Sequence, residues 1–171
     1  MNLILYIRHG EDKRNNYRDD AELTDFGRQE SRELAKKLLD EFGIPDVIYY
    51  SPFQRTRATK KEMVKVIKKY KEQHNIHKKI RMVSDPRLGR FFSNSERDNP
   101  EVHHKTMKKG AFIWENKKQF DKRVFDQLND CKKEKIVWNI THTLVLLKIV
   151  KIEGVKRSRY VDYLDYVLIK K

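Results

Sequence analysis

The sequence has one cysteine, Cys131, so no intramolecular disulfide can form, and a reducing compartment fits the chain. It has no long apolar run. The N-terminal stretch Leu3 to Ile7 ends at Arg8, too short for a secretory segment or a membrane span, so an intracellular, cytoplasmic chain without a membrane partner is the expectation. No internal repeat, low-complexity linker or composition break divides the 171 residues, which makes a single domain over 1–171 the expectation. RNP, KH and helix-turn-helix signatures are missing, although residues 54–83 carry eleven Lys or Arg against two Glu. His74 and His77 have an H-x₂-H spacing, but no cysteine or second pair accompanies them as a zinc site needs. Acidic residues are in short supply: 25 Asp plus Glu against 39 Lys plus Arg give a net charge of +14. Such a field draws anionic partners, either phosphorylated small molecules, phosphoproteins or nucleic acid.

What is present is an alternation of short apolar runs and helical periodicity. Leu3 to Ile7 reads as a buried parallel strand. Thr24 is placed to cap a helix carrying Ser31, Leu34, Ala35, Leu38, Leu39 and Phe42, which Gly43 and Pro45 end. Val47 to Tyr50 is a second strand, Arg55 to Glu72 a second helix, and Ile80 to Val83 a third strand. Residues 84–112 are polar and patternless, a variable loop or lid region. Phe120, Val124 and Leu128 mark another helix; Ile136 to Ile140, Thr143 to Ile152 and Tyr160 to Ile169 give strand, helix and strand. The pattern predicts an α/β fold, three layers (α/β/α) around a mostly parallel central sheet.

In open sheets of this kind, ligands bind beyond the carboxyl ends of the strands. Those ends carry Arg8-His9, Ser51 to Arg55, and Thr141-His142. Two guanidiniums that fork onto phosphate oxygens, with two histidines that can act as nucleophile or charged donor, make a phosphoryl site that calls for no metal.

At these residues the chain resembles a known family. Arg8-His9-Gly10-Glu11 after an N-terminal strand is similar to the opening of the histidine phosphatase superfamily, also called phosphoglycerate-mutase-like. Asn15 stands where that family has the Asn of its opening motif. "DAELTDFGRQE" (Asp20 to Glu30) and "SPFQRTRAT" (Ser51 to Thr59) resemble two further segments. "DPRL" (Asp85 to Leu88), "FDKRV" (Phe120 to Val124) and "VWNITHT" (Val137 to Thr143) follow in order. The resemblance implies that His9 attacks phosphorus while Arg8, Arg55 and His142 surround the phosphoryl oxygens, with Asn15 adding a contact to the substrate. Glu11, Thr24 and Ser51 are expected to support these groups. No metal and no cofactor is implied.

The chain departs from the family where many members read L-x-E, the Glu being the acid that protonates the leaving group. Here Leu88-Gly89-Arg90 places an arginine at that position, and Thr143 follows His142 where the acid-phosphatase branch has Asp. Asp85, Glu96, Asp98 and Glu101 are the substitutes at hand, and Arg90 is expected to bind substrate, with Phe91 and Phe92 shaping its pocket. The expected function is a metal-independent phosphatase acting on a phosphomonoester or phosphoramidate, in a small molecule or a phosphoprotein. A phospho-ligand-binding protein with a weak or dead site is the alternative, and a basic nucleic-acid binder on the same fold the third reading. A mutase is disfavoured by the short chain and the missing Glu.

Overall fold

A computed structural model describes residues 1–13, 21–93, 114–156 and 161–171. Strand β1 (Leu3–Arg8) alternates its side chains between two cores. Ile4 and Tyr6 join Val124, Leu128, Val145 and Leu146 on one face, whereas Leu5 and Ile7 join Ala35, Leu38, Met63 and Ile67 on the other. Because both faces of β1 are covered, the strand reads as a continuous apolar run, as buried parallel strands do. The first face is covered by helices α3 (Lys117–Cys131) and α4 (Thr143–Ile152), the second by α1 (Asp25–Phe42) and α2 (Gln54–Gln73).

The remaining strands of the central sheet are β2 (Val47–Tyr50), β3 (Arg81–Ser84), β6 (Ile136–Thr141) and β7 (Tyr166–Lys170). Their order is β3-β2-β6-β1-β7, parallel except for β7, which runs antiparallel to β1. This is the expected three-layer arrangement with a mostly parallel sheet. Register then decides where function gathers. Arg8 pairs with Thr141, and Tyr50 pairs with Ile140. Each strand's next residues, His9, His142 and Ser51, therefore emerge side by side on three adjacent strands.

Local signals explain the helix ends. Thr24 accepts a hydrogen bond from Gly27 N at 2.9 Å and caps α1, and Gly43 takes φ 80° at its other end. Two expectations shift. The last strand begins at Tyr166 rather than Tyr160, because Asp162 and Asp165 draw nearby backbone N–H groups into a turn: Asp162 N donates to Asp165 Oδ2 and Tyr163 N to Asp162 Oδ1, both at 2.7 Å. Leu164 sits at φ 58° within that turn. The start of the 84–112 region is ordered: Asp85 caps a 3₁₀ turn (Pro86–Leu88), and β4 (Phe92–Ser93) pairs in parallel with β5 (Trp114–Glu115).

Helices α1 and α2 are clasped by Glu62, whose carboxylate is 2% exposed and accepts from Arg32 and Lys65, both at 2.7 Å. Burial pushes the Glu62 carboxyl up, but the Lys65 and Arg32 hydrogen bonds outweigh it and hold it below the usual carboxylate range. Its contribution is therefore present above the unfolded-state value and lost as pH falls through the lowered folded one. Glu62→Gln should cost about 1 kcal/mol at pH 7, a modest figure because Arg32 and Lys65, which make the two short hydrogen bonds, are solvent-exposed. In chemical denaturation, the gap between Glu62→Gln and wild type should narrow below about pH 4.

Candidate active site

His9 continues the sheet ladder, its backbone N donating to Thr141 O at 3.0 Å. Its ring is 2% exposed as a residue and is fixed from two sides. Nδ1 lies 2.9 Å from Gly10 O, and since a carbonyl only accepts, Nδ1 carries the proton. Nε2 is then unprotonated and accepts from Arg55 Nε at 3.2 Å. Arg55, on the first turn of α2 and fully buried, also places Nη2 3.4 Å from His142 Nδ1. With Arg55 donating there, the proton of neutral His142 rests on Nε2, 3.0 Å from Ser51 Oγ. The two imidazoles meet edge to face at 5.3 Å, and Phe53 flanks His142 at 5.0 Å.

Arg8, His9, Arg55, Arg90 and His142, with the start of α4, line one cavity of about 220 Å³. The structure thus brings together the four strand-end residues expected from sequence and adds Arg90. Among the described residues, no carboxylate lines this cavity. Thr143 and Leu144, the first residues of α4, also line it, and His142, at the N-cap, makes no side-chain capping bond. A helix N-terminus of this kind adds positive potential to that of the arginines. Leu144, 46% exposed, sits at the mouth.

The shell around these residues is built from the same motifs. Arg8 Nη1 donates to Val161 O at 2.5 Å, and its guanidinium lies 4.1 Å over the Tyr163 ring, so the turn before β7 aims it. Gly10 N donates to Thr59 Oγ1 at 3.0 Å, and Thr59 donates to Arg55 O at 2.9 Å, tying the loop after β1 to α2. Thr24 Oγ1 donates to Glu11 Oε1 at 2.8 Å. Thr24 thus ties Glu11 to the start of α1, and Ser51 Oγ lies 3.0 Å from His142 Nε2. Arg123 pairs with buried Glu115 at 2.6 Å and donates to the backbone carbonyls of Arg87 and Gly89, which fixes the turn that presents Arg90. Arg90 also lies 5.3 Å over the Phe92 ring.

Several expectations change. Gly10 answers a need for room, because a Cβ there would lie 2.8 Å from Gly27 O and 2.9 Å from Ser31 Oγ. Asp85 is not at hand as an acid: Arg87 grips both its oxygens, with contacts of 2.9 to 3.2 Å, and the carboxylate caps the 3₁₀ turn. Cys131, beside lysines in sequence, is buried, and burial pushes its thiol up to about 12, which makes it unreactive. His74 stacks on Tyr70 at 4.2 Å and its Nδ1 lies 2.8 Å from Tyr70 O. Asn15, Glu96, Asp98, Glu101, His103 and His104 lie outside the described residues.

One residue close to the ring was missed. Asp12 Oδ2 is 3.5 Å from His9 Nδ1 and 3.7 Å from Arg55 Nε, its side chain 1% exposed. Its identity alone gives no signal, since the approach depends on how residues 11–13 pair with 22–24. No helix among the described residues is long and apolar enough to cross a membrane.

Comparison with known proteins agrees with this geometry. The sequence profile described as the histidine phosphatase superfamily (branch 1) matches residues 4–151. Among curated proteins no relative matches. Solved structures share the fold at low identity. The ecdysone phosphate phosphatase of Bombix mori, in complex with tungstate, is 16% identical with a TM-score of 0.66, covering 100% of this chain and 90% of its own. The alpha-ribazole phosphatase of Shigella flexneri is 18% identical with a TM-score of 0.63, covering 98% and 90%. The protein histidine phosphatase SixA, complexed with tungstate, is 15% identical with a TM-score of 0.62, covering 98% and 87%.

Proposed function

We propose that this chain, which belongs to the histidine phosphatase superfamily, hydrolyses a phosphomonoester or phosphoramidate through a phosphohistidine on His9. The observation that carries the reading is the His9 ring itself. Its proton is held on Nδ1 by the Gly10 carbonyl, leaving the Nε2 lone pair at a cavity ringed by guanidiniums. Two structural relatives were solved in complex with tungstate, a tetrahedral oxyanion, which supports oxyanion binding by this fold.

In the reaction, a phosphoryl group enters the cavity and Arg55 turns its fork from His9 Nε2 to the phosphoryl oxygens. Nε2 attacks phosphorus as the bond to the leaving group breaks and that group takes the electron pair. Arg8, Arg55, the start of α4 and His142 stabilise the charge on the oxygens; a proton on Nδ1 makes His142 a donor. Phosphoryl transfer has a loose transition state, so fixed positive charge and positioning supply most of the rate. Water then attacks phosphorus, the P–Nε2 bond breaks, and phosphate leaves. Arg90 is assigned to the substrate's leaving-group side, where its charge favours leaving groups that depart as stable anions; a phosphoramidate nitrogen would instead leave after taking a proton from solvent. Asn15 is proposed as a further substrate contact.

The test is hydrolysis of para-nitrophenyl phosphate by wild type and His9→Ala, with and without EDTA. Turnover that survives EDTA and falls on the order of 10⁴-fold in His9→Ala is expected. Equal rates in the two proteins would remove His9 as nucleophile, and loss in EDTA would remove the metal-free mechanism. The cavity's lack of a carboxylate among the described residues favours one second reading, a phospho-ligand-binding protein. Vanadate binding with no turnover of any phosphoester or phosphoramidate would select it.

A further inference from the structure

Asp12 is the carboxylate that faces the His9 ring among the described residues, and its backbone is held in place to do so. Lys13 N donates to Glu22 O at 2.9 Å, Thr24 N donates to Glu11 O at 3.0 Å, and Asp12 bridges Leu23 between them. This short ladder carries the Asp12 carboxylate to the Nδ1 side of the imidazole, 3.5 Å away, whereas Nε2 faces Arg55. Among the described residues, the other groups facing the ring have positive or neutral character: Arg55 from α2, His142 after β6, and Tyr163 from the turn before β7, at 5.8 Å. Arg8 precedes His9 on β1. A ring among arginines resists acquiring charge, and a carboxylate with 1% exposure is costly unless it is paired. Asp12 meets both needs, through His9 and through Arg55 Nε at 3.7 Å.

We propose that Asp12 is a positioning residue for His9: it faces the Nδ1 side of the ring, whose proton the Gly10 carbonyl accepts, and balances the positive charge that the ring carries while Nε2 holds the phosphoryl group. The charge arises because the attacking lone pair becomes the Nε2–P bond while Nδ1 keeps its proton, so the ring is an N-phosphoimidazolium. When water attacks, the P–Nε2 electron pair returns to the ring, the proton lost by water goes to solvent, and neutral His9 is restored with Nδ1 still protonated. This role rests on the phosphatase reading above, and it deepens that reading by assigning the group that steadies the intermediate. Gly10 O alone can accept from Nδ1, but a neutral carbonyl leaves the ring's charge unbalanced.

The variant to make is Asp12→Asn, which keeps the shape and removes the charge. The readout is the ¹⁵N NMR titration of the His9 ring, assigned against His9→Ala. In Asp12→Asn the His9 midpoint should fall by about one pH unit, since an opposite charge at this range favours the protonated ring. The His74 and His77 ring signals should be the same in variant and wild type. With para-nitrophenyl phosphate, the acidic limb of kcat/KM should move to lower pH in the same variant, and kcat should drop roughly 10–100-fold, as for other groups that orient a reacting side chain. An unchanged His9 midpoint would overturn the proposal, as would a kcat loss with no movement of the limb. Should Asp12→Asn fail to fold, Asp12→Ser takes its place: a His9 midpoint lowered by a similar amount supports the role, and an unchanged midpoint overturns it. Absence of turnover by wild type would count against the phosphatase reading alone, because the titration reports on Asp12 without any substrate.

Discussion

Arg55→Ala should lower kcat/KM by about 10³-fold or more, the largest loss expected from any residue other than the nucleophile. Arg55 is fully buried, and its single guanidinium touches His9, His142 and the vicinity of Asp12. On the proposed mechanism, removing it deletes two donors to the phosphoryl group. It also takes away the guanidinium 3.7 Å from the Asp12 carboxylate. Arg55→Lys should recover little. An ammonium keeps the charge but cannot reach both histidines from one plane, and a bidentate site is not satisfied by a point charge. The measurement is kcat/KM on para-nitrophenyl phosphate together with the affinity for vanadate. Both should fall together, because the interaction lost is with the oxyanion in ground and transition states alike. A kcat/KM within about tenfold of wild type in Arg55→Lys would show that the fork geometry is unimportant.

Gly27→Ala is expected to have the largest effect on stability. Gly27 lies on the first turn of α1, pressed against the loop after His9. A Cβ there would lie 2.7 Å from Glu11 N and closer still to the Glu11 carbonyl. Backbone on both sides cannot yield as a flexible side chain could, so either α1 lifts or the loop after β1 moves. Overpacking of this kind costs about 1–3 kcal/mol and at times more, which exceeds the usual gain of Ala over Gly within a helix. Since Gly10 packs against Gly27 O, the displaced loop carries His9 and Asp12 with it. Activity should fall with stability, and thermal melting with a parallel rate measurement tests both. A variant as stable as wild type would mean that α1 and the loop are not in contact in solution.

Much of this arrangement is legible in the residues. The apolar run of β1, the helical spacing of α1 and the caps at Thr24 and Gly43 place the elements within a residue or two. The parallel-sheet rule then puts Arg8-His9, Ser51 to Arg55 and His142 at one edge, because β2, β6 and β1 are neighbours with their ends in register. What could not be read are contacts set by tertiary packing. Asp12 reaches His9 only through the pairing of residues 11–13 with 22–24. Arg8 is aimed by Val161 and Tyr163, more than 150 positions along the chain, in a stretch that reads as strand until the hydrogen bonds of Asp162 and Asp165 are seen. Asp85 looks available in sequence because nothing there reveals that Arg87, two residues on, grips it. The clamp of Arg123 and Glu115 that sets Arg90 is likewise a consequence of how α3 packs.

The most direct test of the account is to catch the phosphoryl group on the protein. Enzyme mixed with excess para-nitrophenyl phosphate and quenched in alkali within the first turnover should yield a peptide containing His9 that carries one acid-labile phosphoryl group, absent from His9→Ala. Product release with the His9 peptide unmodified at every quench time, or a phosphoryl group on any other residue, would contradict it.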